Sequence, residues 1–292
     1  MSAPILSVVI PTRNRREILV STLRALARQS RVEGWFEVII ADDGSTDGSV
    51  NLLQASVFEA FDLRVLALEA GGPARARTRA IAEASAETVL LLGDDTPPAS
   101  GTLARHLDIA AGREVAVQGR IDWDPGWSVT DVMAFLAPNG PQFWFRDLED
   151  GGPVPWAQLL GSNLSAPTRW FRDEPFDERF TDACMEDTEL GWRWHRRGWT
   201  SVWSDRAVCH HRHRYDAIGP FLERQRRAGR WARLAVRTHP GMALKLIFEP
   251  SLATPWRAVR AGGRALIGRN RREDAWDLRC RWAYLRGLFF EL

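Results

Sequence analysis

The sequence predicts an α/β protein built on a mainly parallel sheet flanked by helices. Short apolar runs alternate with amphipathic stretches through the first hundred residues, the connections between them are short, and acid pairs sit where apolar runs end. Repeated strand–helix alternation of this kind implies right-handed crossovers between parallel strands. Such a sheet takes its ligands at the carboxyl ends of its strands.

Leu6-Ser7-Val8-Val9-Ile10 reads as a buried strand. Asn14 then reads as a helix N-cap with Glu17 three residues on, as in a capping box, and Leu19, Leu23 and Leu26 form one buried stripe. Phe36 to Ala41 is a second strand, and Asp42-Asp43-Gly44-Ser45-Thr46-Asp47 is turn and cap chemistry. The third strand covers Leu63 to Leu68; Gly71-Gly72-Pro73 breaks it from an Ala-rich helix over Ala74 to Ala84. The fourth, Thr88 to Leu92, ends at Gly93-Asp94-Asp95. Residues 122–180, rich in Trp, Pro, Gly and Asp, read as long loops over a site. A helix over 183–198 and a short strand at Ser201-Val202-Trp203 precede Val208-Cys209-His210-His211, and from about residue 216 the chain is Arg-rich and helical.

The 292 residues are 45% hydrophobic and 26% charged, which excludes a disordered or collagen-like chain. Cys184, Cys209 and Cys280 have neither metal spacing nor a disulfide framework, so a reducing, cytoplasmic compartment is expected. Apolar runs such as Val89–Leu92 fall far short of the roughly 20 residues of a membrane span. Met1-Ser2-Ala3-Pro4 leads straight into a strand, so no signal peptide is expected. The net charge of +2 conceals a division: residues 1–206 sum to −9 and residues 207–292 to +11. Two parts are expected, 1–215 with the alternating pattern and 216–292 as a basic helical extension.

The acid pairs carry the chemistry, each beside a plainer alternative. Asp94-Asp95 brings two carboxylates together at a strand end, a repulsion that a divalent cation relieves; the alternative is a cap for a helix starting near Ser100. Asp42-Asp43 is either a turn or a carboxylate accepting from a nucleobase N–H. Arg75, Arg77 and Arg79 suit phosphate or the acidic loops. Glu186, Asp187 and Glu189 open a helix, where acids favour the macrodipole, but a carboxylate there also suits a general base. His210, His211 and His213 read either as surface residues or as ligands needing partners from elsewhere.

Taken in order, Pro11-Thr12-Arg13-Asn14-Arg15, Asp42-Asp43-Gly44-Ser45-Thr46-Asp47, Gly72-Pro73-Ala74-Arg75-Ala76-Arg77, Gly93-Asp94-Asp95, Glu186-Asp187-Thr188-Glu189-Leu190 and His210 closely resemble the family-2 glycosyltransferases with the GT-A fold. The resemblance covers roughly residues 5–215 and leaves the tail unexplained. It implies a nucleotide-diphosphate sugar donor held by Pro11, Thr12, Arg13, Asp42, Asp43, Arg77 and Asp94, with Asp43 on the base. Thr78 stands where the family's Ala-Arg-Asn stretch has Asn, and Gly93 replaces the first acid of the DxD motif, leaving Asp95 to contact Mg²⁺ or Mn²⁺ with His210. Asp187, beside Glu186, is the implied catalytic base, and Asn163 and Trp192 lie on the implied acceptor side.

The activity implied is inverting transfer of a hexose or deoxyhexose to a saccharide or lipid-linked acceptor in surface-polysaccharide or glycoconjugate synthesis. The rival is a non-catalytic nucleotide-sugar-binding or scaffolding member of the fold. In the tail, Leu278, Trp282, Leu285 and Phe289 recur at i, i+4, i+7 and i+11 beside Arg279, Arg281 and Arg286. That face suits the acidic half or a second subunit, as in a homodimer, or an anionic surface on the inner face of the cytoplasmic membrane. No recognition motif for nucleic acid accompanies the arginines.

Overall fold

The computed structural model describes residues 3–29, 36–56, 58–266 and 272–291. Strands and helices alternate through the first half: β1 (Ser7–Thr12), α1 (Arg16–Leu26), β2 (Phe36–Asp43), α2 (Ser49–Gln54), β3 (Phe61–Leu68), α3 (Pro73–Ala82), β4 (Thr88–Leu92) and α4 (Thr102–Ala110). There follow β5 (Ala116–Trp123), α5 (Asp131–Leu136), β6 (Asn163–Pro167), α6 (Thr168–Asp173), α7 (Glu186–Arg196) and β7 (Ser201–His211). The chain ends in α8 (Gly219–Thr238), α9 (Glu249–Leu266) and α10 (Arg272–Phe290).

The seven strands form one sheet in the order β3-β2-β1-β4-β6-β5-β7, with β6 antiparallel to both its neighbours and the other pairings parallel. Every residue of β2 is buried, as expected of a parallel strand covered on both faces. Leu6, Val8, Ile10, Val38, Ile40, Leu90 and Leu92 pack against Leu19, Leu23 and Leu26 of α1, so the stripe read from the sequence is the core contact.

Three local features differ from the sequence reading. Asn14 does not cap α1. It takes a left-handed φ of 53° and its Oδ1 accepts from the Thr46 N–H at 2.7 Å, while Asp47 Oδ2 accepts from the Arg16 N–H at 3.0 Å. The β1 and β2 exits are thereby tied together. Residues 122–180 are not loops throughout, since β6, α5, α6 and a 3₁₀ turn at Trp156–Gln158 lie among them. And β7 continues from Ser201 through His211 as one strand, with a register shift opposite Gly119/Arg120 absorbing the polar residues that hid its continuity.

The chain divides into two compact units, Met1–Ser128 with Phe145–His213, and Val129–Trp144 with Arg214–Leu292. Residues 129–144, which the sequence reading assigned to the first part, thus group with the basic extension. Within that second unit, Thr130 Oγ1 donates to the Tyr215 carbonyl at 2.7 Å and Phe135 lies 5.5 Å from Trp276, ring centre to ring centre. Helices α8 and α10 meet backbone to backbone: a Cβ on Gly229 would strike the Tyr284 carbonyl, and one on Gly287 the Arg226 carbonyl. The apolar face read on α10 is split by this packing, with Leu285 buried and Trp282 and Phe289 exposed. Among the described residues, no helix is long and apolar enough to cross a membrane.

Candidate functional site

The functional side chains of the first unit gather at the carboxyl ends of β1, β2 and β4 and at the start of α7. At the end of β2, Asp43 accepts from the N–H groups of Gly71, at 2.7 Å, and Gly72, with the largely exposed Arg13 guanidinium 3.7 Å away. Asp42 Oδ1 accepts from the Ser45 N–H at 2.8 Å, the turn expected there, while its Oδ2 is buried with no hydrogen-bond partner. Pro11 pairs in register with Ala41, so β1 delivers the residues after it to the same edge. Gly72 has a left-handed φ of 91°, and a Cβ there would run into the Thr181 backbone, so glycine is what lets the loop before α7 close over this edge.

At the end of β4 the two acids are shared by cations. Thr12 Oγ1 donates to Asp94 Oδ2 at 2.8 Å; Arg15 Nη1 donates to Asp94 Oδ1 at 2.8 Å and Asp95 Oδ2 at 2.9 Å. His211 Nε2 lies 3.5 Å from that same Asp95 oxygen. Neither acid caps α4, whose N-cap is Gly101. Burial, reinforced by the charge of Asp95, pushes the Asp94 carboxyl up to about 6. Burial acts on Asp95 in the same direction, but His211 and Arg15 outweigh it and hold Asp95 well below the usual carboxylate range. One carboxylate of the pair is therefore firmly ionised.

The histidine beside Asp95 is His211, not the His210 that the sequence reading paired with it. Adjacent residues of a strand point to opposite faces; on β7 it is His211 whose ring turns to Asp95, stacked 5.8 Å from His213 and 5.4 Å from Trp123. His210 is held by its backbone N–H to Pro97, and its Nδ1 is buried with no hydrogen-bond partner. Asp95 Oδ2 and His211 Nε2 are 3.5 Å apart, and Arg15 Nη1 donates to the same carboxylate oxygen, so a cation there would share or displace the guanidinium. A carboxylate and an imidazole are donors of the kind a divalent cation takes, but among the described residues no third His, Cys, Asp or Glu joins them.

At the start of α7, two neighbouring acids lie in unlike surroundings. Met185, the N-cap, has a left-handed φ of 71°, unusual for a long side chain and a strain that aims the first turn. Glu186 turns inward, where its Oε1 accepts from Arg77 Nη1 at 2.8 Å with both side chains buried. Burial and the charge of Asp187 raise the Glu186 carboxyl to about 6 against the pull of Arg77. Asp187 remains part-exposed and is oriented by two backbone donors, Gly161 N–H at 3.2 Å and Thr188 N–H at 2.8 Å. Arg77, expected on the donor phosphates, is instead committed to Glu186 beneath the Phe176 ring.

Asn163 does not reach an acceptor. Its side chain is wholly buried, Oδ1 against His106 Nε2 at 2.9 Å and Nδ2 donating to the carbonyls of Arg120 and Ala207. An amide at the centre of a sheet joins strands, which is its use here. Burial lowers the neighbouring His106 imidazole to about 4, so that ring is neutral between Asn163 and Ser165. Trp192 is half-buried on α7, edge-on to Trp156 at 5.1 Å. Sequence reasoning left Arg15 without a role, although it stands inside a quoted motif, and chose His210 over the neighbouring His211 that it had named as an alternative.

The profile of Glycosyl transferase family 2 matches residues 7–180. A validoxylamine A glucosyltransferase from Streptomyces hygroscopicus subsp. limoneus is 31% identical over 224 residues, covering 67% of this chain and 49% of the relative. The poly(ribitol-phosphate) β-N-acetylglucosaminyltransferase TarS of Staphylococcus aureus is 34% identical over 91 residues, 30% of this chain and 16% of that protein. The chain spans about half the length of the glucosyltransferases it matches. Among solved structures, a mannosyltransferase from Pyrobaculum calidifontis in complex with GDP-Man and Mn²⁺ superposes with a TM-score of 0.70 at 18% identity, covering 100% of this chain and 89% of that one. TarS residues 1–349 with UDP-GlcNAc superpose at 0.51 and 20% identity, covering 97% and 89%. The matched segment runs from the first residue of β1 to the loop before α7, well over half of the chain, and on that extent the chain belongs to glycosyl transferase family 2, with the GT-A fold.

Proposed function

We propose that the chain is an inverting glycosyltransferase, moving a hexose or deoxyhexose from a nucleotide-diphosphate sugar to a hydroxyl of a saccharide or lipid-linked acceptor. The observation that carries this reading is the divided environment of Glu186 and Asp187. One acid is buried on Arg77; the other is part-exposed and held by two backbone donors. Two adjacent carboxyls in unlike surroundings are how one fold assigns separate roles. Asp187 takes the proton from the acceptor hydroxyl while the acceptor oxygen bonds to the anomeric carbon on the face opposite the diphosphate. The bond from that carbon to the diphosphate oxygen breaks and its electron pair leaves with the nucleoside diphosphate. A single displacement inverts the anomeric configuration.

Asp43 and the Gly71–Gly72 turn suit the base, with Thr12, Arg13 and Asp94 along the nucleotide. Glu186 and Arg77 act as positioning residues, fixing the first turn of α7 from beneath. When bound, Mg²⁺ or Mn²⁺ on Asp95 and His211 supplies positive charge beside the departing diphosphate. Trp192 offers a ring face to a sugar on the acceptor side. The relatives named above support a role in surface-polysaccharide or glycoconjugate synthesis, and the buried free thiols of all three cysteines suit the cytoplasm. The test screens UDP-, GDP- and dTDP-sugars with Mn²⁺ for thermal stabilisation, then follows release of nucleoside diphosphate with the stabilising donor. Stabilisation with acceptor-dependent release is expected. Stabilisation with no release across an acceptor panel would leave a nucleotide-sugar-binding protein instead.

A further inference from the structure

The second unit carries an apolar stripe that the sugar-transfer site does not use. Leu244, Phe248, Leu252, Trp256 and Val259 recur at i, i+4, i+8, i+12 and i+15 along the π-helical turn Leu244–Phe248 and α9, and each is between 54% and 76% exposed. The opposite side of the same segment is anchored. Leu246 is buried and its carbonyl accepts from Tyr284 Oη at 2.8 Å; Arg257 pairs with Asp277 at 3.3 Å, and Arg264 pairs with Asp274. The stripe is thus held outward by α10.

We propose that this face docks on an anionic phospholipid surface, with α9 lying in the plane of the interface. Large exposed apolar patches mark interaction sites, and a helix with Trp, Phe and Leu on one side and cations beside them is suited to the headgroup boundary. Beside the stripe stand Arg260 and Lys245, the latter paired with Glu249 at 2.9 Å, within a stretch, residues 207–292, whose net charge is +11. Arg260 stands over the Trp256 ring at 5.5 Å, where its guanidinium can reach phosphate while the ring is immersed. A second copy docking through the same face would set like charge against like, whereas an anionic bilayer complements both the stripe and its margin. From Leu244 to Val259 the stripe is about 22 Å long and one-sided, a shape for lying along an interface rather than crossing it.

The test is co-sedimentation of the whole chain with vesicles of phosphatidylglycerol or of phosphatidylcholine, at low and at high salt. Phe248→Ser combined with Trp256→Ser removes the stripe at exposed positions, and Lys245→Glu combined with Arg260→Glu reverses the margin. Thermal melting of each variant confirms that it is folded. Binding to phosphatidylglycerol, at least tenfold weaker on phosphatidylcholine and at least tenfold weaker in either double variant, is expected. Wild-type protein that remains in the supernatant with both lipids would overturn the proposal, as would double variants that bind like wild type. So would light scattering that shows a wild-type dimer abolished by Phe248→Ser with Trp256→Ser. Donor binding, followed separately by thermal stabilisation, is expected to be the same in all the variants, so a failure here is distinct from a failure of the sugar-transfer reading.

Discussion

Arg77 and Glu186, 109 residues apart in the chain, form a buried ion pair at 2.8 Å that joins α3 to the first turn of α7. Its energetics have a sign. The Glu186 carboxyl is raised to about 6, chiefly by burial, above its ordinary value of 4.5. Its contribution to stability is therefore fully present below about pH 4.5 and is lost as pH rises through about 6. Glu186→Gln does not titrate, so the stability of wild type relative to this variant should fall by roughly 2 kcal/mol between pH 4.5 and pH 7. Urea unfolding at several pH values reads this directly, and a difference that is flat with pH would refute it. Arg77→Met, which strands the carboxylate, should cost about 3–5 kcal/mol near neutral pH.

Asp187→Asn keeps the side chain's shape and an amide oxygen for one of the two backbone donors, but removes the base. Transfer should fall by about 10²–10⁴, with nucleotide-sugar affinity within a factor of about two of wild type. Turnover that survives in Asp187→Asn would remove Asp187 from the proton transfer.

The two adjacent histidines of β7 should separate cleanly. His211→Ala should weaken Mn²⁺-dependent donor binding by about tenfold or more, the scale on which a group beside a metal ligand, or a ligand itself, is felt. His210→Ala should leave it unchanged. Calorimetric titration of the donor with and without Mn²⁺ measures both, and the reverse pattern would return the role to His210.

His106 predicts an acid-sensitive core. Its imidazole is lowered by burial to about 4, below the ordinary 6.5, so the unfolded chain takes up a proton first as pH falls. Stability from this group is intact above about pH 6.5 and drops by about 3 kcal/mol on going to pH 4. His106→Asn should lose that part of the pH slope while starting from a lower stability at pH 7. Denaturant midpoints across this range decide it.

The parallel half of the sheet was legible because β1, β2 and β4 are apolar runs, and the acids at their ends lie where the alternation says a ligand binds. β5 and β6 were not, because Gln118, Asn163 and Ser165 satisfy one another's strands or His106 inside the sheet, a polar interior that looks like loop composition. The choice between His210 and His211 rests on strand parity, which required the continuation of β7 past its irregular register to be known. Arg77 was assigned to phosphate because a sequence shows its charge and not the carboxylate packed against it.

At Gly229 and Gly287 nothing but backbone lies between α8 and α10. A glycine pair of this sort is a key in a slot: sliding one helix along the other by even a single residue would bring a side chain onto a carbonyl. Sliding shear between these two helices is closed, so any rearrangement of this pair has to carry both together.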